Sequence, residues 1–163
     1  MILSALWRWY DRSTVTLLAL SGAAMFAVVT INVVLRYLFS SGLVWGEEAA
    51  RYLMVWGVML GVGVAYRLRG HIAITMLVDG LPPRFARPAA LAGHALTLAA
   101  AAMLAFSGVV LTRFLGAVVA PTIGLPMSWV YASVPVGAGL LFIDVLRQLV
   151  HHLRGSTEKE TFL

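Results

Sequence analysis

Residues Ser13–Leu35 read STVTLLALSGAAMFAVVTINVVL, and none of them carries a charge. A bilayer's hydrocarbon core is about 30 Å thick and takes about 20 apolar helical residues to cross. Inside lipid the backbone must satisfy its own hydrogen bonds, so a single run of this length crosses as a helix. Arg8, Asp11 and Arg12 precede the run, and Trp7, Trp9 and Tyr10 form the aromatic group expected at a membrane interface. A basic start before an apolar stretch also describes a secretory signal peptide, but the apolar core of those is only about 7–15 residues. The reading here is a retained anchor helix.

Three further spans follow. Tyr52–Tyr66 is uncharged but short, so its helix is extended back to Trp45, taking in Glu47, Glu48 and Arg51, and is ended by Arg67, Arg69 and Gly70. The third span runs from Pro88 to Thr112. The fourth runs from Pro126 to the region of Asp144 and Arg147, with Pro135 inside it and Pro121, Gly124 and Pro126 marking the loop before it. The fold class is therefore an all-α membrane protein with four transmembrane helices near 13–38, 45–67, 88–112 and 126–147. They form one domain over residues 1–163. Ile72–Val78 is apolar but too short to cross, and reads as a short interfacial segment between helices 2 and 3.

Composition agrees. Hydrophobic residues make up 61% and charged residues 12%, against about 25% charged in soluble domains. The net charge of +5 sits at the ends of the spans, as topology signals do, which argues against nucleic-acid binding. Arg8, Arg12, Arg67, Arg69, Arg84, Arg87, Arg147, Arg154 and Lys159 fall on one side; only Arg36, Arg51 and Arg113 fall on the other. The positive-inside rule then makes both termini cytoplasmic. With no cysteine, thiolate chemistry and disulfides are excluded.

Small residues recur every four positions on two spans: Gly57, Gly61 and Ala65, then Ala89, Gly93, Thr97, Ala101 and Ala105. Such faces let helix backbones approach closely. Polar groups deep in a span usually mark an ion or substrate path, and their scarcity argues against an autonomous transporter. Glu47, Glu48 and Arg51 stand one helical turn apart, with Arg36 on the same membrane face to take a free carboxylate. An ion-pair cluster is the plain reading, and a cation or proton site the functional alternative. Asn32 reads as an interhelical hydrogen-bonding group, and Asp144 with Arg147 as a local pair. A bis-histidine haem site needs facing histidines at one depth, but only His94 lies within a span, while His71, His151 and His152 flank spans. No cofactor or metal is expected. No nucleophile–base constellation or phosphate loop is present, so the chain does not read as an enzyme.

The residues from Asn32 to Ile72 carry a resemblance. Asn32-Val33-Val34-Leu35-Arg36-Tyr37-Leu38-Phe39 is followed by Trp45-Gly46-Glu47-Glu48-Ala49-Ala50-Arg51, then Trp56, Gly61, Ala65 and Arg69-Gly70-His71-Ile72. Later come Gly124-Leu125-Pro126, Trp129, Tyr131, Pro135 and Gly137. This resembles the small membrane subunit, the DctQ type, of tripartite ATP-independent periplasmic (TRAP) transporters over essentially the whole chain. The resemblance implies a bacterial inner-membrane protein that braces a large permease subunit. That partner would take up an organic acid, coupled to sodium and delivered by a periplasmic binding protein. It further implies that Arg36, Glu47, Glu48 and Arg51 lock spans one and two at the periplasmic face and that His71 helps fix the cytoplasmic turn; Asn32, Trp45, Gly57 and Gly61 are further structural or partner-interface candidates. Besides these partners, membrane lipids surround the chain. The competing reading is a four-helix exporter acting as a dimer, which calls for a glutamate well inside the first span; that span has Asn32 and no acid.

Overall fold

A computed structural model describes residues 2–79 and 82–153. Every long element is a helix, and four of them are long and apolar enough to cross a membrane. They are α1 (Ile2–Leu38), α2 (Gly46–Asp79), α3 (Pro83–Phe114) and, after the short α4 (Met127–Tyr131), α5 (Ser133–Leu153).

The helices outrun the spans read from the sequence. With 37 and 34 residues, α1 and α2 would be about 55 and 51 Å long at 1.5 Å per residue. The helix of α1 begins at Ile2 rather than near Ser13. Arg8, Asp11 and Arg12 break the apolar run but not the helical backbone. The segment Ile72–Val78, expected to lie apart in the interface, is instead the continuation of α2. Gly70 costs about 1 kcal/mol in a helix but does not end one, and the first strong breakers are Asp79-Gly80 and Pro82-Pro83. Pro82 and Pro83 then start α3, where a missing N–H costs nothing.

The fourth span is divided. Ala132 separates α4 from α5, because Pro135 has no N–H for the Tyr131 carbonyl. Helical bonds from Ala132 N to Ser128 O (2.9 Å) and from Val136 N to Ala132 O (3.3 Å) carry the chain through the break.

The helices form an open row in the order α1, α2, α5, α3, with a lesser contact between α2 and α3. Among the described residues the backbone of α1 lies against that of α2 alone. Ala101, Leu141 and Val145 form the core where α3 meets α5, with Tyr66 and Leu98 against them. The small-residue faces fill two different roles. Gly57 and Gly61 face Ser21 and Leu18 of α1, whereas Ala65 is exposed and Gly93 has nothing near it. The tightest approaches are elsewhere: a Cβ at Gly137 would lie 2.5 Å from the Met59 carbonyl oxygen, and one at Gly108 2.9 Å from Pro135 N. Outward faces are apolar, with Phe26, Leu96, Met103, Phe106, Phe114 and Trp129 all exposed. That is the surface a protein offers to lipid or to another membrane protein.

Candidate functional site

Polar side chains gather at the two ends of the row. The first end is the corner between α1 and α2. Among the described residues Asn32 bonds to the loop and not to another helix: its Oδ1 accepts the Leu43 backbone N–H at 2.7 Å and so ties the loop back onto α1. Gly42 and Gly46 lie against the same amide, where an added Cβ would come within 3.3 and 3.2 Å of it. Ser40 takes a left-handed φ of 51° to make the turn. Trp45 is partly exposed and starts α2 by accepting the Ala49 N–H at 2.9 Å. Asn32, Arg36, Ser40, Leu43 and Glu47 border an open groove of about 560 Å³.

The expected ion-pair cluster is only partly assembled. Arg36 Nη1 stands 3.9 Å from Glu47 Oε1, with both side chains more than two-thirds exposed. Glu48 is used differently. It accepts the Tyr52 hydroxyl at 2.7 Å, then the backbone N–H groups of Thr122 (3.0 Å) and Ile123 (2.9 Å). Those amides top a small hairpin closed by Ala120 N–H to Leu125 O and Met127 N–H to Val118 O, both 2.8 Å, and turned by Gly124 at φ 72°. Glu48 therefore fastens the α3–α4 loop to the head of α2. Arg51 is exposed and, among the described residues, forms no ion pair within 4.0 Å with either glutamate. The carboxylate one turn before it is already committed to backbone donors.

The opposite end holds a network that sequence reasoning missed. Arg67 of α2 is only 12% exposed. It pairs with Asp11 of α1, donates from Nη2 to the Thr14 hydroxyl at 2.6 Å, and brings Nε within 3.5 Å of Asp144 of α5. Arg147 of α5 reaches across to Asp11 at 3.2 Å. Both members of the expected local pair also reach other helices, Asp144 to Arg67 and Arg147 to Asp11. Asp144 turns inward, where Gly63 has no side chain to meet it, and becomes fully buried. Arg67 lies over the Tyr10 ring at 5.1 Å and Arg147 over the Trp7 ring at 4.7 Å, with the two rings edge to face. Beside them the Tyr66 hydroxyl meets Nδ1 of the buried His94 at 2.8 Å.

This clasp links α1 to α5, whose backbones stay apart among the described residues while Arg147 spans the gap to Asp11 and Trp7. In the sequence Asp11 and Arg67 read as flanks of spans. The available signal was Asp144, an acid inside an apolar helix, which by default demands a partner from a neighbouring helix. His71 lies in the continuation of α2, outside the residues whose side chains are described.

Comparisons with known proteins complete the picture. The family model "Tripartite ATP-independent periplasmic transporters, DctQ component" matches residues 25–155. A Haemophilus influenzae protein named as a TRAP transporter small permease protein is 22% identical over 152 residues, which cover 93% of this chain and 92% of that one. The sialic acid TRAP transporter small permease protein SiaQ of Vibrio cholerae is 29% identical over 132 residues, 78% of this chain and 72% of its own. The isethionate TRAP transporter permease protein DctMQ of Oleidesulfovibrio alaskensis is 27% identical over 139 residues. That alignment takes in 80% of this chain but only 22% of the longer relative. The matched region contains the whole corner and three of the four charged clasp residues; Asp11 lies before it.

Proposed function

Because the chain belongs to the DctQ-component family of TRAP transporters, a family of transporter components rather than enzymes, we propose that this small permease subunit braces its large permease partner in the bacterial inner membrane. The large subunit would carry the substrate and sodium sites and move an organic acid handed over by a periplasmic binding protein. Both termini and the clasp would face the cytoplasm, and the α1–α2 corner the periplasm, as the Lys and Arg distribution favours.

The observation that carries this reading is where the polar groups go. Among the described residues, the buried charges are spent on holding helices together at one end of the row. The faces between the two ends are apolar and exposed. A row of four helices so thinly buried suits a plate laid against a larger membrane protein. The relative in which the matching region is 22% of a longer permease chain supports the same partnership.

Purification through a tag on this chain, in mild detergent from native membranes, tests it. The expected result is a large permease in near-stoichiometric yield. A clean homodimer, under conditions that keep other membrane complexes intact, would overturn the reading in favour of the small exporter.

A further inference from the structure

We infer that the outward face of α1 binds the headgroup of one anionic phospholipid between Arg8 and Arg12. The two arginines are four residues apart on one helix, so they are neighbours on its surface, about 6 Å apart along its axis. Both are exposed. The contacts of α1 with α2 use another face, where Thr14 accepts from Arg67 and where Leu18 and Ser21 lie against Gly61 and Gly57. Asp11, the acid between the two arginines in sequence, belongs to the clasp and is committed to Arg67 and Arg147. Among the described residues, no carboxylate stands within 4.0 Å of either Arg8 or Arg12. Two cations are left side by side without an anion.

Their depth selects the anion. Arg12 directly precedes the charge-free run Ser13–Leu35, which puts it where the apolar core gives way to headgroups, with Arg8 one turn further out. Leu6 and Trp9, 60% and 70% exposed, flank the pair with an aliphatic chain and an indole ring suited to that level. On the membrane side of the pair, Thr16, Ala19 and Ala23 continue the same face and are exposed and short, which leaves room for an acyl chain along the helix. A guanidinium offers a phosphodiester two parallel N–H donors. A lipid of net negative charge compensates the pair, whereas a zwitterionic one brings an ammonium that two cations repel. The rival is a carboxylate of a partner protein. Because α1 ends the row of helices, a plate that meets its partner through a broad side leaves this edge to lipid; that step alone rests on the bracing role.

The assembly purified through this chain is titrated with phosphatidylglycerol or phosphatidylcholine of matched chains, and bound lipids are counted by native mass spectrometry. Arg8→Gln with Arg12→Gln should retain one phosphatidylglycerol fewer than wild type for each copy of the chain, with phosphatidylcholine unchanged. Arg36→Gln, an exposed arginine at the other end of α1, should retain the wild-type number. Equal phosphatidylglycerol counts in the double variant and wild type overturn the site. A second readout needs no variant: a photoactivatable phosphatidylglycerol should label wild-type α1 within residues 5–20, and labelling that spares this segment overturns the proposal. So does a map of the complex in which a carboxylate of the large permease pairs with Arg8 or Arg12. Lipid counts and labelling can be read on a homodimer as well as on a complex with the permease, so failure of the bracing role and failure of the lipid site are told apart.

Discussion

At one end of the α1–α2 pair, Arg67 is 12% exposed and faces two aspartates; at the other, Arg36 is 70% exposed and stands 3.9 Å from Glu47. The residue types are the same and the surroundings are not. A buried charge whose partner is removed stays buried and uncompensated, whereas an exposed one is taken up by water and salt. The clasp end therefore carries a large penalty for any single loss, and the corner end a small one. Backbone hydrogen bonds do at the corner what ion pairs do at the clasp: Asn32 holds the α1–α2 loop and Glu48 holds the α3–α4 hairpin.

The sharpest way to break this contrast is Arg67→Ala. Among the described residues it leaves Asp11 with Arg147 alone and Asp144 with no cation within 4.0 Å on another helix. The expected loss is about 3–5 kcal/mol, as for other buried pairs cut on one side. It should be read as a lower thermal midpoint of the purified complex and a poor yield of it. Replacing the partners together refines the test. Arg67→Met combined with Asp144→Leu should recover much of the loss, because an apolar pair of similar volume often does as well as a buried ion pair. A single variant with wild-type stability would mean that the charges are solvated in the assembled state.

Glu48 is the intermediate case. In Glu48→Ala the Thr122 and Ile123 amides lose their acceptor, while the Ala120–Leu125 and Met127–Val118 bonds of the hairpin remain. The expected effect is local: faster hydrogen exchange at residues 122 and 123, with the global thermal midpoint little changed. Exchange that accelerates across the entire membrane region would show instead that the hairpin is part of the cooperative core.

How much of this was legible in the sequence depends on whether the cause was local. The four crossings were readable because a charge-free run such as Ser13–Leu35 states its own solvent. Glu47 and Glu48 were picked out as structural by their place at the head of α2, although the sequence could not show that Glu48 would choose backbone amides over Arg51. The clasp was not readable, because Asp11, Arg67 and Asp144 sit on three helices whose order in the row is a tertiary fact. Flanking their spans, Arg67 looked like a topology signal and Asp11 like one of the charges that precede the first apolar run. The break at Ala132 was within reach, since Pro135 must free a carbonyl one turn earlier. The length of α2 was not, because Arg67, Arg69 and Gly70 mark where a span leaves the apolar core and do not stop a helix.

The smallest expected effect sharpens the comparison most. Arg36→Ala removes the only interhelical ion pair found at the corner among the described residues, yet an exposed pair at 3.9 Å contributes within about 0.5 kcal/mol. The thermal midpoint of the complex should therefore not move, and the groove bordered by Asn32 and Leu43 should keep its shape, because the Asn32–Leu43 bond does not depend on Arg36. Transport in reconstituted vesicles then separates two roles. Unchanged uptake with unchanged stability leaves the corner as a turn that Asn32 holds alone. Reduced uptake at full stability points to a contact outside this chain, since the one pair lost within it, Arg36–Glu47, is exposed and adds little to stability. In that case Arg36, which is exposed and borders the groove, belongs to the surface that meets a partner. Either result fixes which end of the pair serves the chain's own fold and which is free to serve the assembly.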